Sequence, residues 1–317
     1  MTRNVVRMFL VGVMVWGTGV VFGQTYPNKP IRIFTSEAGG GNDFTARVIS
    51  PALTGSLGQP VIVENRTSII SRETAAKAPP DGYTLFLSGN VLWLTAFLQD
   101  NLPDPMRDFL PVTMVTSTPS ILVVHPSLPV KSVQELIALA KAKPGALNYA
   151  STAPGSPPSL GGELFKALAG INIAIIPYKG GGPAINALIG GHMQLMFSSA
   201  GPVAQQIKSG RLRALAVTSA EPSALIPGLP TMAASGVPGY ELATILGIFV
   251  PVKTSATIIR QLNQEIVRAL NQADVKEKLL NAGVEPIGNS PEQFAAIIKA
   301  DAARMGKVIR DAGIRAE

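Results

Sequence analysis

The stretch that decides the fold is FTSEAGGGNDFTARVI, residues 34 to 49. It joins an apolar run over 31–36 to a helical pattern over 42–57, and three glycines stand at the junction. Such a junction presents bare backbone N–H groups at a helix N-terminus, where the helix dipole favours an anion or a carbonyl oxygen. The same glycines also fit a tight turn that needs positive φ, so this motif alone leaves both interpretations open.

A second junction of the same kind is NYASTAPGSPPSLGGELFK, residues 148 to 166. A short strand ends at Ser151 and Thr152, and a loop with Gly155 and Ser156 leads into the next helix. In open α/β sheets, ligands bind outside the carboxyl ends of the strands. Two such junctions, about 115 residues apart, therefore predict two lobes that each supply one side of a ligand cleft.

Between these junctions and beyond them, short apolar strands alternate with amphipathic helices as far as residue 252. This alternation predicts mostly parallel sheets with helices on both faces. The remaining chain is helical in pattern, with apolar stripes that predict core contacts. Ser132 and Ser290 stand where N-cap residues are expected.

The N-terminus has the form of a secretory signal peptide. Arg3 and Arg7 precede an uncharged apolar run of about 16 residues, and Val21 and Gly23 supply small residues before a cut after Gly23. An uncleaved membrane anchor is the alternative, but the run is short for a bilayer span. We therefore expect an exported, periplasmic protein in which residues 1–23 are removed.

Composition excludes several functional classes. The net charge of +7 comes from scattered Lys and Arg residues without interleaved aromatics, which argues against nucleic-acid binding. The chain has no Cys, its two His residues lack metal-ligand spacing, and no G-x-S-x-G motif is present. We expect a binding protein without catalysis, cofactor or metal.

Several motifs then resemble one family. They are YPNKPIRI, AGGGNDFTARVI, LGQPVIVENR, AAKAPPDGYTLFLS, KPGALNYASTAPGSPPSLGGELFK, IPYKGGGPAINALIGGHMQLMF and IKSGRLRALAVTS, in this order from about Tyr26 onward. Together they resemble the Bug family, the extracytoplasmic substrate-binding proteins of tripartite tricarboxylate transporters. The resemblance implies a two-lobed type II periplasmic-binding-protein fold with a hinge of crossover strands.

The resemblance also implies how the lobes and the site are divided. Lobe I is expected over 24–122 and 247–317, and lobe II over 123–246. The expected partners are a small carboxylate-bearing solute and the membrane permease, with the receptor itself a monomer. The predicted ligand-binding residues are Ser36, Glu37, Ala38, Gly39, Gly40, Asn42 and Asp43 at the first junction, Ser151, Thr152, Gly155 and Ser156 at the second, and Tyr178 and Ser198 after later strands.

Glu37 bears most on the ligand, because the family pattern has Pro-Phe-Ala or Pro-Phe-Pro where this chain has Thr35, Ser36 and Glu37. A carboxylate about 4 Å from a bound anion costs roughly 4 kcal/mol at an effective dielectric constant near 20. Glu37 either faces solvent or pairs with Arg66 or Arg72, or it binds a cationic or hydroxyl group. The last case predicts a zwitterionic solute, and a ligand-sensing protein that signals through a membrane partner is the alternative function.

Overall fold

The computed structural model describes residues 26–98, 105–152 and 156–314. The predicted leader (1–23) and the candidate Gly155 lie outside the described residues. No helix in the described ranges combines the length and the hydropathy that a bilayer span requires.

The described residues form ten strands and ten α-helices in largely alternating order. The strands are β1 (Ile31–Thr35), β2 (Val61–Asn65), β3 (Thr84–Gly89), β4 (Phe109–Val124), β5 (Asn148–Ser151), β6 (Ala174–Pro177), β7 (Leu195–Ser199), β8 (Arg213–Val217), β9 (Ala243–Pro251) and β10 (Glu285–Pro286). The helices are α1 (Gly41–Leu57), α2 (Ser68–Ala76), α3 (Val91–Leu98), α4 (Val133–Ala142), α5 (Pro157–Ala169), α6 (Gly181–Ile189), α7 (Ala200–Lys208), α8 (Ala256–Leu270), α9 (Ala273–Asn281) and α10 (Pro291–Asp311). A short 3₁₀ helix spans Pro105–Asp108.

The strands make two parallel groups that are joined by antiparallel strands. β2, β1 and β3 are parallel to one another, as are β6, β5 and β7. β9 pairs antiparallel with β3 and β4, and β4 pairs antiparallel with β7 and β8. The expectation of mostly parallel sheets is therefore wrong for the centre of the molecule, where the chain crosses between the two groups.

β4 is long enough to pair with different strands along its two parts. Its residues from Phe109 to Pro119 pair with β9, and those from Ser120 to Val124 pair with β7. The sequence predicts only a strand over 120–124. The first part was missed because β4 is buried on both faces for most of its length, so it lacks the polar alternation that marks a half-exposed strand.

The predicted helix caps and apolar stripes are confirmed. The Ser132 hydroxyl accepts a hydrogen bond from the Glu135 N–H at 3.1 Å, and Ser290 and Gln293 form a capping box. The stripes of α8 and α10 are buried through Ile259, Leu262, Ile266, Leu270, Phe294, Ile298, Met305 and Ile309. These helices cover the core as the sequence predicts.

α5 is held against its sheet by two glycines and two buried tyrosines. A Cβ at Gly162 would lie 2.8 Å from Cε1 of Tyr149, so α5 approaches the ring more closely than any other residue allows. The Tyr149 hydroxyl donates to the Pro158 carbonyl, and the Tyr240 hydroxyl donates to the Gly161 carbonyl at 2.9 Å. Burial raises the pKa of both tyrosines, so both stay protonated donors at neutral pH. The first two turns of α5 are therefore fixed in position.

We expect Gly162→Ala to destabilise the fold by about 1 to 3 kcal/mol, because the added methyl overlaps the fixed Tyr149 ring. Gly55→Ala is the matched control, since Gly55 also lies inside a helix and a Cβ there meets nothing within 4 Å. That control should be stabilising by up to about 1 kcal/mol. Urea unfolding measures both; equal effects of the two substitutions would contradict this account of α5 packing.

Candidate ligand-binding cleft

A cleft of about 220 Å³ lies where the N-terminal turns of three helices face the start of β9. Asn42 from α1 and Pro157 from α5 both line it, so the two strand-to-helix junctions open into the same space. The remaining lining residues come from the β3–α3 region, from α5 and from the segment that leads into β9: Gly89, Asn90, Val91, Leu94, Leu98, Leu160, Leu242, Ala243, Thr244 and Leu246.

Asp43 organises the first junction from inside the protein. One of its carboxylate oxygens accepts the Gly39 N–H at 2.9 Å, and the other accepts from Arg47 at 2.7 Å and from Asn65 at 2.9 Å. The Asn65 amide also donates to the Ser36 carbonyl at 2.9 Å. These hydrogen bonds, led by the one from Gly39, lower the pKa of Asp43. The carboxylate predicted to touch the ligand is thus directed at its own loop.

The three glycines of this junction differ in backbone conformation and in their surroundings. Gly39 has φ of +85°, so the tight-turn interpretation holds for this residue. Gly40 has φ of −85°, and a Cβ there would meet only the Glu37 carbonyl oxygen, at 3.6 Å. A Cβ at Gly41 meets nothing within 4 Å. The backbone around Gly40 and Gly41 is therefore bare on a side that no protein atom fills.

Glu37 and Ala38 are exposed on this loop, and Ser36 is half-buried. Within the described residues Glu37 forms no ion pair; Arg66 pairs with Glu64 at 3.5 Å and lies over the Phe34 ring. The alternative in which Arg66 neutralises Glu37 is therefore wrong. Of the predicted residues that fall within the described ranges, only Asn42, the second residue of α1, also lines the cleft.

The second junction is held by hydroxyl groups. The hydroxyls of Thr152 and Ser156 share a hydrogen bond of 2.8 Å, and the Ser156 hydroxyl caps α5 by accepting from the Ser159 N–H at 3.4 Å. Ser151 is fully buried at the end of β5, and its carbonyl accepts the Tyr178 N–H at 3.0 Å. Tyr178 is half-buried, and Ser198 is buried in β7. None of these five predicted residues lines the described cleft. Ser151, Tyr178 and Ser198 lie at or next to the carboxyl ends of β5, β6 and β7, which are neighbouring parallel strands.

The cleft wall depends on a polar network around Asn90. The Asn90 amide accepts the Ile245 N–H at 2.6 Å and donates to the Ala243 carbonyl at 3.2 Å and to Asp301 at 3.0 Å. Asp301, from α10, also accepts the Trp93 indole N–H at 2.7 Å. The network fastens the start of α3 to the start of β9.

Sequence reasoning missed this half of the site. The predicted ligand-binding residues include none of α3 and none of the segment 242–246, although GNVLWLTAFL follows the apolar run over 83–88 just as the glycine loop follows β1. From that segment the sequence singles out only Ile245 or Leu246, as the position where the family resemblance implies an aromatic residue. The available signal was Gly89, where a Cβ would lie 2.8 Å from the Ile245 carbonyl oxygen, so only glycine fits. A glycine at the end of a strand often marks such a close approach.

Residues 45–314 match the model of a family described as "Tripartite tricarboxylate transporter family receptor". Protein BugT of Bordetella pertussis is 36% identical over 323 residues, covering 98% of this chain and 99% of BugT. The sequence resemblance to the Bug family is thereby confirmed.

Solved structures of similar proteins also resemble this chain. R. palustris Rpa4515 with adipate is 34% identical with a TM-score of 0.68, covering 92% of this chain and 99% of that one. A TctC solute-binding protein from Polaromonas, at 24% identity, has a TM-score of 0.84 and covers 90% of this chain and all of its own. These likenesses confirm the two-lobed periplasmic-binding-protein fold.

We expect Asp43→Asn to cost about 1 to 3 kcal/mol of stability at pH 7, because it removes a charged acceptor from three hydrogen bonds. The pKa of Asp43 is lowered in the folded protein, so its contribution is present above about pH 4 and is lost as the pH falls through the lowered pKa. Urea unfolding of both proteins at pH 7 and pH 3 tests this, with Asp274→Asn, at an exposed surface pair, as the control. A cost that persists unchanged at pH 3 would contradict the charge argument.

Proposed function

Because the chain belongs to the tripartite tricarboxylate transporter receptor family, we propose that it captures a small carboxylate-bearing solute in this cleft for uptake. One observation carries the proposal: Asn42 and Pro157, from the first turns of α1 and α5, line the same cavity. Rpa4515, which was solved with adipate, supports a carboxylate as the ligand class. The family is one of transporter receptors, which supports uptake by a non-catalytic binding protein rather than sensing.

The ligand carboxylate binds the bare backbone between Ala38 and Gly41 and the Asn42 amide. Among the described residues, a Cβ at Gly41 would meet nothing within 4 Å and one at Gly40 only the Glu37 carbonyl oxygen at 3.6 Å, which supports the approach of a ligand oxygen to this stretch of backbone. The helix dipole of α1 adds to the attraction. The Asp43 carboxylate and the Ser36 carbonyl hold this loop in shape, since they accept from the Gly39 N–H and from Asn65, and the Ser36 hydroxyl remains a proposed ligand contact.

The second lobe contributes the junction before α5. Thr152 and Ser156 offer hydroxyls there, and Ser151, Tyr178 and Ser198 belong to the same side of this lobe. Gly155, in the same stretch of sequence, remains a proposed ligand contact. The proposed division places 24–122 and 247–317 in lobe I and 123–246 in lobe II. Polar contacts between the lobes then include those from Ser223 to Glu285 and from Arg304 to Glu241 at 2.9 Å, beside the hydrogen bonds of Asn90 with Ala243 and Ile245. Ligand bridging both junctions favours closure about β4 and β9.

Removal of residues 1–23 releases the mature receptor into the periplasm, where it acts as a monomer. The closed, loaded form is the one that the membrane permease recognises. The apolar run after Arg7 supports this step.

Asn42→Ala should weaken binding of carboxylates about tenfold or more, because it removes a hydrogen-bond donor to a charged oxygen. Isothermal titration calorimetry on protein stripped of co-purified ligand measures this. Asn281→Ala, at an exposed position at the end of α9, is the control. Equal affinities of the two variants for every acid that binds would refute the role of Asn42.

Glu37→Gln should strengthen binding of an anionic acid by about twofold to fivefold at low salt, since an exposed like charge near the loop is removed. The same substitution should weaken a zwitterion that uses Glu37 as its counter-charge. Titrations of carboxylates and amino acids at two salt concentrations separate these cases. Loss of carboxylate affinity in the variant would reverse the assignment.

A further inference from the structure

We propose that the solute is a monocarboxylic acid with an apolar body of at least benzene size, and that α3 selects it. This inference rests on the proposed function, because it assumes that the cleft binds an acid. The residues of α3 that support the inference are Val91, Leu94 and Leu98. They occur at positions i, i+3 and i+7 and so form one stripe along the helix.

The wall opposite this stripe is also hydrocarbon. Leu160 of α5 and Leu242 and Leu246 around the start of β9 complete it. Among the described lining residues there is no Lys, Arg, His, Asp or Glu. A compact acid with two or three carboxylates would lose hydration against this wall without gaining a cation, which is unfavourable. An apolar body gains free energy from the same burial.

The dimensions fit such a body. An apolar cavity of about 150 Å³ accepts a benzene ring, and this cleft measures about 220 Å³. The stripe from Val91 to Leu98 is about 10 Å long at 1.5 Å of rise per residue. The cleft therefore has room for a ring with a short substituent, or for an extended alkyl chain along α3.

Free polar groups are few. The Asn90 side-chain amide is already hydrogen-bonded to Ile245, Ala243 and Asp301. The Asn42 amide and the Thr244 hydroxyl make no side-chain hydrogen bond within the described residues, and both line the cleft. Asn42 lies at the carboxyl end of β1, which neighbours β3 and therefore the start of α3. The carboxylate of the ligand is thereby placed at one end of the stripe, and its apolar tail lies along the stripe.

The exposure of Val91 is further support for an apolar ligand. This residue is 56% exposed although it lines a cleft beside buried leucines. The apolar tail of a bound acid covers this side chain. Val91 therefore contributes to the selection of the ligand, while the stability of the fold does not depend on it.

The first test is a chain-length series in calorimetry: butanoate, hexanoate and octanoate, with benzoate, malate and citrate for comparison. Each added methylene should tighten binding about fourfold until the stripe is filled. Benzoate should bind more tightly than malate or citrate, and binding of the longer acids should show a negative heat-capacity change. If malate or citrate binds at least as tightly as octanoate, the inference is overturned while the proposed function stands. If no acid binds, both are overturned.

The second test separates head from tail. Leu98→Ser, at the end of the stripe far from Asn42, should weaken octanoate about fivefold or more and butanoate much less, whereas Asn42→Ala should weaken both acids by the same factor. Val91→Ser, at the near end, should also weaken octanoate about fivefold or more. Val252→Ser is the matched control, because Val252 is an exposed valine (39%) outside the cleft. Thermal melting verifies that each variant is folded. Equal octanoate affinities of Val91→Ser and Val252→Ser would overturn the role of α3.

Discussion

One strand, β4, connects the two groups of strands, because it pairs directly with β7 of one group and, through β9, reaches β3 of the other. The relative placement of the two halves of the molecule depends on it. Its first part pairs with β9 and its last five residues pair with β7, so a single backbone connects the sheet under α1 to the sheet under α5. The β4–β9 register shifts near Pro111 and near Met114, and such irregularities increase strand twist. The cleft lies beside this pair because the segment from Leu242 to Leu246 enters β9 there.

The position of α3 depends on a second constraint, the buried carboxylate of Asp301. It is 2% exposed and is compensated by Asn90, by the Trp93 indole and by Arg304 at 3.2 Å. Removing one partner of a buried charge is usually more costly than the pair is stabilising, so these residues act as a unit. Through them the C-terminal helix, the cleft wall and the start of β9 are fastened to one another. The binding surface is thus supported by residues far from it in sequence.

The sequence predicts the alternating elements, the helix caps and both strand-to-helix junctions, since each rests on local patterns of glycine, apolar spacing or capping residues. It does not predict α3, because VLWLTAFL is apolar throughout and shows no polar face. Nor does it predict the hydrogen bond between Asp43 and Asn65, which is 22 residues away and is brought close by the pairing of β1 with β2. The leucine wall follows from the pairing of Gly89 with Leu246, a non-local register that no short motif encodes.

The hydrogen bond from Trp93 to Asp301 gives the receptor an optical property. The chain has two tryptophans, Trp16 and Trp93, and Trp16 lies in the proposed leader (1–23), whose removal would leave Trp93 alone. That indole sits next to Leu94 of the cleft wall and is fixed to a buried carboxylate. Its emission in the processed chain would therefore report on one environment, in a helix that lines the cleft. Under the proposed mode of binding, occupancy of the cleft should change this intrinsic fluorescence, with no dye attached to the protein.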